Sequence, residues 1–260
     1  MTGTSSGMVP TLSRIAPAGI PPSGIPPAGI PLAQIPRYRT LADEAYEQLR
    51  LALMSGQLKP GQPITVRGLA DAMGISLTPA REAMGRLAAE GVLAEGPNRT
   101  VSVPRLNPHD YDELMRIRLA LEPMAAAEAA RNLTDEDLAE LRALQDEHRE
   151  AHDSGDYQRV LRCNELFHFA LYRKAGMPAL VQILEGLWLR IGPTLSLLHE
   201  SAFTGSAWRG DINHRAVLAG LMRRDPVRVE KAVRSDLEGG RVALLAAMRD
   251  DRADLARGAA

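Results

Sequence analysis

Arg81 is the residue in this chain best equipped to read a base pair. A guanidinium offers two parallel donors that match the O6 and N7 acceptors of guanine, worth roughly 1–3 kcal/mol of discrimination. It follows Ser76-Leu77-Thr78-Pro79, a run that opens a helix: Thr78 suits an N-cap, and Pro79 suits the first helical position, where a missing N–H costs nothing. Ser76 and Thr78 can donate to phosphate, and the Thr78 methyl can touch a thymine methyl. The blander chemistry for Arg81 is a solvated ion pair with Glu82 or Glu90. A second group lies far along the chain. Asn164 and His168 are four residues apart on one helix, so an amide oxygen and an imidazole face the same way. His148 and His152 share that spacing. Leu138, Leu141 and Gln145 lead into their stripe, whereas Glu147, Arg149 and Glu150 favour a solvated face, so packing and solvation compete there with metal ligation. Cys163 reads as a buried small apolar residue.

The elements around Arg81 can be read directly. Val66, Leu69, Ala70 and Met73 form one face of a short helix that Gly74 breaks. Ala80, Ala83, Met84, Leu87 and Ala88 then recur at helical spacing, with Thr78, Arg81, Glu82 and Gly85 opposite. Gly91 ends this helix. Two short helices joined by a tight Gly-containing turn make a helix-turn-helix. Val92–Glu95 and Thr100–Val103 read as two strands about the turn Gly96-Pro97-Asn98-Arg99, a hairpin wing whose Asn98 and Arg99 would reach phosphates or the minor groove. Gly85 in mid-helix costs about 1 kcal/mol relative to Ala; it either admits a close approach of DNA or is a tolerated surface glycine. Before this unit, a helix from Thr40 to about Met54 carries the stripe Leu41, Ala45, Leu49, Ala52 and Leu53, with Asp43, Glu44 and Glu47 early, and Gly56 ends it. Lys59–Pro63 is a turn-rich connection.

After the linker Pro104–Asn107 the chain reads as helices only. Asn107-Pro108 starts one to about Arg131, with Leu114, Ile117, Leu121 and Met124 as its apolar side. Thr134-Asp135-Glu136-Asp137 is a capping-box start for a helix to about Asp153. Others are expected over Asp156–Ala175, Pro178–Ser196, Ala207–Arg223 and Pro226–Arg249, with a loop at His199–Gly205 and a frayed tail from Asp250. Residues 1–39 carry Ile15, Ile20, Ile25, Ile30 and Ile35 at a period of five in a Pro/Gly/Ala background, a pattern that matches neither helix nor strand. They read as an extended, disordered arm. The fold class is therefore mainly α: an N-terminal winged helix-turn-helix (40–105) plus a C-terminal all-helical bundle (106–250), between the arm and a flexible tail (251–260).

Composition bounds the partners. The 260 residues carry a formal net charge of −1, and within 40–105 acidic residues equal basic ones, so a DNA reading rests on where the arginines sit. An architectural, sequence-independent DNA binder would need many phosphate contacts and a basic balance. The single Cys excludes an intramolecular disulfide and fits a reducing cytoplasm. No apolar run is long enough to span a bilayer, and no secretory signal is evident.

The winged unit resembles the DNA-binding domain of GntR-type bacterial transcription regulators. The carriers are Leu41–Gly56, Leu69-Ala70-Asp71-Ala72-Met73-Gly74-Ile75-Ser76, Thr78-Pro79-Ala80-Arg81-Glu82-Ala83-Met84 and Leu87-Ala88-Ala89-Glu90-Gly91. The helical part resembles the FCD ligand-binding domain of the FadR-type branch, through Arg118–Glu122, Phe167-His168, His214-Arg215-Ala216-Val217-Leu218 and Arg224-Asp225. The resemblance implies a homodimer on a palindromic double-stranded operator, with DNA affinity set by a small ligand. It adds Arg67 to the DNA contacts. It also implies a metal set of Asn164, His168, His214 and Asp236 for one divalent ion per subunit (Zn, Ni or Mn), completed by a carboxylate effector that Arg118 clamps. Three positions depart from the family pattern: Leu77 stands where an Arg is usual, Asn164 where Asp is common, and Asp236 where His is usual. The competing reading of these helices is a metal-dependent hydrolase, although there is no H-E-x-x-H.

Overall fold

Capping chemistry sets most of the helix starts. The computed structural model describes residues 39–96, 100–198 and 210–258. In it Thr40 and Asp43 form a reciprocal capping box at the head of α1 (Leu41–Met54). Asn107 accepts from the Asp110 amide at 2.9 Å to begin α4 (Pro108–Asn132). A second capping box, Thr134 with Asp137, begins α5 (Asp135–Asp153). Asp156 caps α6 (Tyr157–Arg173), and Pro178 opens α7 (Pro178–Leu195). Each side-chain cap satisfies an amide at a helix N-terminus that has no partner within the helix, and Pro178 removes one such amide.

The winged unit is completed by β1 (Pro63–Ile64), α2 (Val66–Met73), α3 (Leu77–Ala89), β2 (Ala94–Glu95) and β3 (Val101–Ser102). The strands make an antiparallel sheet in the order β1-β3-β2, with Ile64 and Glu95 both opposite Val101. β1 lies in the segment read as a turn-rich connection; two residues carry no alternation, and only pairing with β3 makes them a strand. Val92 and Leu93 lie outside the ladder, buried in the core. Leu41, expected on the inner stripe of α1, is exposed at the first turn.

Two further helices close the fold, α8 (Gly210–Leu221) and α9 (Pro226–Gly258). α9 continues past the expected end at Arg249, since no residue before Gly258 breaks the helix. The turn between them passes through Arg224 in left-handed backbone, φ 50°. Arg224 is held there by the Leu133 carbonyl and, at 2.7 Å, by Asp135. α9 packs on α4 and α8, α5 on α6, and α1 on both α3 and α7. α4 corrects the sequence reading. Its inner face is Tyr111, Leu114, Met115, Arg118, Glu122 and Ala125, whereas Ile117 and Met124 are 38% and 41% exposed. The helix has two apolar faces, and periodicity alone does not choose between them. α1 and α7 approach closely: a Cβ on Gly192 would stand 2.3 Å from the Leu53 carbonyl oxygen. Arg50 of α1 bonds Glu185 of α7 at 2.9 Å.

Candidate functional site

The first candidate site is the exposed end of the helix-turn-helix. Thr65 caps α2 by accepting from the Gly68 amide at 3.0 Å. Gly74, at φ 65°, turns the chain toward α3. α3 starts at Leu77 with Ser76 as its N-cap, two residues before the expected start, so Pro79 is the third helical residue and Arg81 sits in the second turn. Proline is tolerated at that position because its amide would have had no helical acceptor. Ser76 makes no side-chain cap bond. Ser76, Leu77, Thr78, Arg81, Glu82 and Gly85 are all exposed, as is Arg67 at the head of α2. Ala80, Ala83, Met84 and Leu87 are buried beneath them.

Among the described residues Arg81 forms no ion pair. Glu90, one of the two carboxylates weighed as its partner, instead accepts from the Tyr46 hydroxyl at 2.7 Å. A cavity of about 360 Å³ lies between α3 and the wing, with Arg81, Gly85, Glu95 and Thr100 in its wall. A Cβ on Gly85 would meet nothing within 4 Å, so no contact inside the chain requires a glycine there. Asn98 and Arg99 lie outside the described residues.

The second site is inside the helical part. α6 supplies Asn164 and His168, α8 supplies His214 and α9 supplies Asp236, all buried. The ligand atoms of His168, His214 and Asp236 lie within 4.8 Å of one another. His168 Nε2 is 3.3 Å from His214 Nε2 and 3.2 Å from Asp236 Oδ2. The opposite ring nitrogens are engaged: His168 Nδ1 with the Tyr172 hydroxyl at 3.0 Å, His214 Nδ1 with Gln145 Oε1 at 2.9 Å. Asn213 donates to Asp236 Oδ1 at 3.2 Å. Asn164 Oδ1 is buried without a hydrogen-bond partner among the described residues. Burial, then the neighbouring His168, hold the His214 imidazole well below its ordinary pKa. Burial works to raise the Asp236 carboxyl, but the His168 hydrogen bond and the two imidazoles outweigh it, and the net shift is downward.

Phe167 stacks on the His214 ring at 4.2 Å, and His148 approaches that ring at 5.0 Å. The His148/His152 pair is divided by the fold: His148 is buried in the site wall, while the His152 side chain is 62% exposed beside Asp153. Arg118 is buried too, bonded to Glu122 and stacked over Trp188 at 4.4 Å. Cys163 is buried, and burial pushes its thiol up to about 11. Sequence reasoning left Glu122, Gln145, Tyr172 and Trp188 without a role at this site. They come from four helices, and the usable signal was the i,i+4 pairing of Arg118 with Glu122, which on most helices is a surface feature.

Comparison with known proteins agrees with this anatomy. Residues 41–103 match the family model described as bacterial regulatory proteins, gntR family, and residues 113–239 match the FCD domain. The chain is 36% identical over 189 residues to the HTH-type transcriptional regulator McbR of Escherichia coli K12, covering 73% of this chain and 86% of that protein. The solved structure of E. coli McbR/YncC superposes with a TM-score of 0.68 at 34% identity, over 86% of this chain and 100% of that one. A probable D-xylose utilization operon transcriptional repressor of Paenarthrobacter nicotinovorans is 27% identical over 75% of this chain and 84% of its own length.

Proposed function

The chain belongs to the GntR family of bacterial transcription regulators and carries an FCD domain, and from that premise we propose that it binds a palindromic operator as a homodimer under the control of a divalent cation and an organic-acid effector. Its relatives are transcription regulators and not enzymes, and the hydrolase reading has no support. Residues 40–105 act as the DNA-binding part and 106–250 as the effector-binding and dimerising part. Arg81 reads a base edge from α3, while Arg67, Ser76, Thr78 and the wing-tip Asn98 and Arg99 hold phosphates. The exposed apolar pair Ile117 and Met124 on α4 supports a contact with a second copy.

The observation that carries the sensor reading is the convergence of acceptors at His168. The His214 Nε2 nitrogen and the Asp236 Oδ2 oxygen both lie within hydrogen-bond distance of His168 Nε2. Asn164 Oδ1 is an orphaned buried oxygen one helical turn away on the same face. Lone pairs turned toward one another in a buried site repel unless a proton or a cation stands among them, and one proton between His168 and Asp236 leaves His214 Nε2 and Asn164 Oδ1 for a cation to satisfy. The donor set of two imidazoles, a carboxylate and an amide oxygen suits Zn, Ni or Mn. Asn164, His168, His214 and Asp236 would hold that ion, and when bound it supplies positive charge and open positions for a carboxylate. Arg118 gives Nε and Nη2 to Glu122 and keeps Nη1 against Met115 Sδ at 3.6 Å; that remaining donor is the one available to an effector oxygen. No helix among the described residues is long and apolar enough to cross a membrane.

Native mass spectrometry of protein prepared metal-free and then exposed to Zn, Ni or Mn tests the sensor reading. The expected result is a dimer with one metal per subunit, lost in His168→Ala. A metal-free dimer under all three conditions refutes the metal site. The DNA reading is tested separately, with an operator selected from random duplex DNA: its affinity should differ between metal-free and metal-loaded protein.

A further inference from the structure

A hydrogen-bonded relay runs behind His168. Arg118 donates to Glu122 through Nε and, at 3.2 Å, through Nη2. Trp188 Nε1 donates to Glu122 Oε1 at 2.9 Å, and the Tyr172 hydroxyl donates to Oε2 at 2.6 Å. Arg118, Glu122, Trp188 and Tyr172 are all buried. A carboxylate paired with a guanidinium is an acceptor only, so the Tyr172 proton is committed to Glu122. The other contact of that hydroxyl, 3.0 Å from His168 Nδ1, then has the imidazole as donor.

We infer that Glu122 and Tyr172 are positioning residues that hold a proton on His168 Nδ1 and so reserve Nε2 as the nitrogen that faces His214 and Asp236 and would meet a cation. The direction of the relay follows from chemistry alone. It starts at a carboxylate that cannot donate, passes one hydroxyl, and ends at the ring nitrogen farther from Asp236. Gln145 stands behind His214 in the same way, but an amide can present either its oxygen or its nitrogen; only on the His168 side do the partners dictate a proton on the rear nitrogen. The Nδ1 inference stands without a metal, because a proton shared between Nε2 and Asp236 Oδ2 leaves the Nδ1–Tyr172 bond unchanged. Its consequence for affinity rests on the proposed metal site, where partners behind a ligating imidazole are worth about 10–100-fold in metal affinity.

The test is long-range ¹H–¹⁵N correlation of histidine-labelled, metal-free, full-length protein, with the His168 signals assigned by their loss in His168→Gln. Wild type should show a protonated Nδ1. Tyr172→Phe keeps the ring, and Glu122 keeps Arg118 and Trp188, while His168 loses its acceptor. Its Nδ1 proton should be lost in favour of Nε2, where Asp236 still accepts, and Zn affinity measured by chelator competition should fall about 10–100-fold. If Tyr172→Phe does not fold, Glu122→Gln serves: its amide can donate to the hydroxyl and release the Tyr172 proton toward His168, moving the imidazole proton to Nε2. A bare Nδ1 in wild type overturns the inference, and so does a folded Tyr172→Phe with the His168 tautomer unchanged. Wild type that keeps a protonated Nδ1 but binds no Zn, Ni or Mn supports the relay and overturns the metal site.

Discussion

Gly192→Ala separates the docking of α1 on α7 from helix propensity, because the two effects have opposite signs at this residue. In mid-helix, Ala is worth about 0.5–1 kcal/mol over Gly. At Gly192, however, the added Cβ would stand 2.3 Å from the Leu53 carbonyl oxygen and 2.7 Å from both the Met54 Cα and the Met54 oxygen. These are backbone atoms and have no rotamer to change. The helices must part by about 1 Å to restore van der Waals contact, and overpacking of that kind costs about 1–3 kcal/mol. The net expectation is a loss of about 1–2 kcal/mol. Gly186 lies on the same helix, and a Cβ there would meet nothing within 4 Å, so Gly186→Ala is the control and should gain about 0.5–1 kcal/mol. Urea unfolding of both variants beside wild type reads the difference. Gly192→Ala as stable as Gly186→Ala would refute the tight α1–α7 contact and the reasoning built on it.

Arg81→Ala should lower affinity for the selected operator by roughly 1–3 kcal/mol and leave the unfolding midpoint unchanged, since Arg81 is exposed and unpaired among the described residues; anisotropy at fixed salt checks this, and retained affinity would remove Arg81 from the base contacts. Gly85→Ala should raise stability by about 0.5–1 kcal/mol yet weaken operator binding, because the open space beside it is where DNA approaches; stabilisation with unchanged binding would make Gly85 an ordinary surface glycine. Asp137 pairs with Lys174 Nζ at 2.6 Å. Its carboxyl is held below the usual value first by the Lys174 hydrogen bond and then by the Thr134 amide. The folded value lies below the unfolded one, so this stabilisation is present above the ordinary carboxylate range and is lost as pH falls through the depressed value. Asp137→Asn should flatten stability against pH in that acid window, and an unchanged slope would discard the cap–lysine pairing as its source.

Local chemistry was legible in the sequence and cross-chain chemistry was not. Asn107-Pro108, the Thr134/Asp137 box and Pro178 mark helix starts because a cap acts within three residues. The helix-turn-helix was legible for the same reason, and its start was misplaced only because a proline is as harmless third in a helix as first. β1 escaped because a two-residue strand exists only through β3. The outward Ile117 and Met124 escaped because a helix with two apolar faces does not say which one meets α9. At the buried histidine cluster, the i,i+4 spacing put Asn164 and His168 together, and the resemblance added His214 and Asp236. Glu122 and Tyr172 gave only their i,i+4 spacing to Arg118 and His168, and Trp188 and Gln145 gave none, because the contacts that join them to the site cross between helices. Reading Arg118 as an effector clamp did not anticipate that its Nε and Nη2 bond Glu122.

The placement of Trp188, Glu185 and Gly192 on one helix has a mechanical consequence. Trp188 bonds the Glu122 that also receives Tyr172, and Tyr172 touches His168. One turn earlier on α7, Glu185 bonds Arg50; one turn later, Gly192 lies against the last residues of α1. Arg50 lies 5.6 Å from the Tyr46 ring centroid, and Tyr46 donates to Glu90 at the end of α3 while Arg86 of α3 stacks on it at 3.9 Å. Side-chain contacts of this kind can absorb small shifts by changing rotamer, but the Gly192 contact is backbone on backbone and cannot. A displacement of α7 toward α1 of even a few tenths of an ångström must therefore be matched by α1, and α1 packs directly on the helix that carries Arg81. Under the proposed coupling of ligand to DNA, that rigid contact is a more economical carrier of the signal than the salt bridge beside it, and it is why Gly192→Ala is the variant to make before Glu185→Gln.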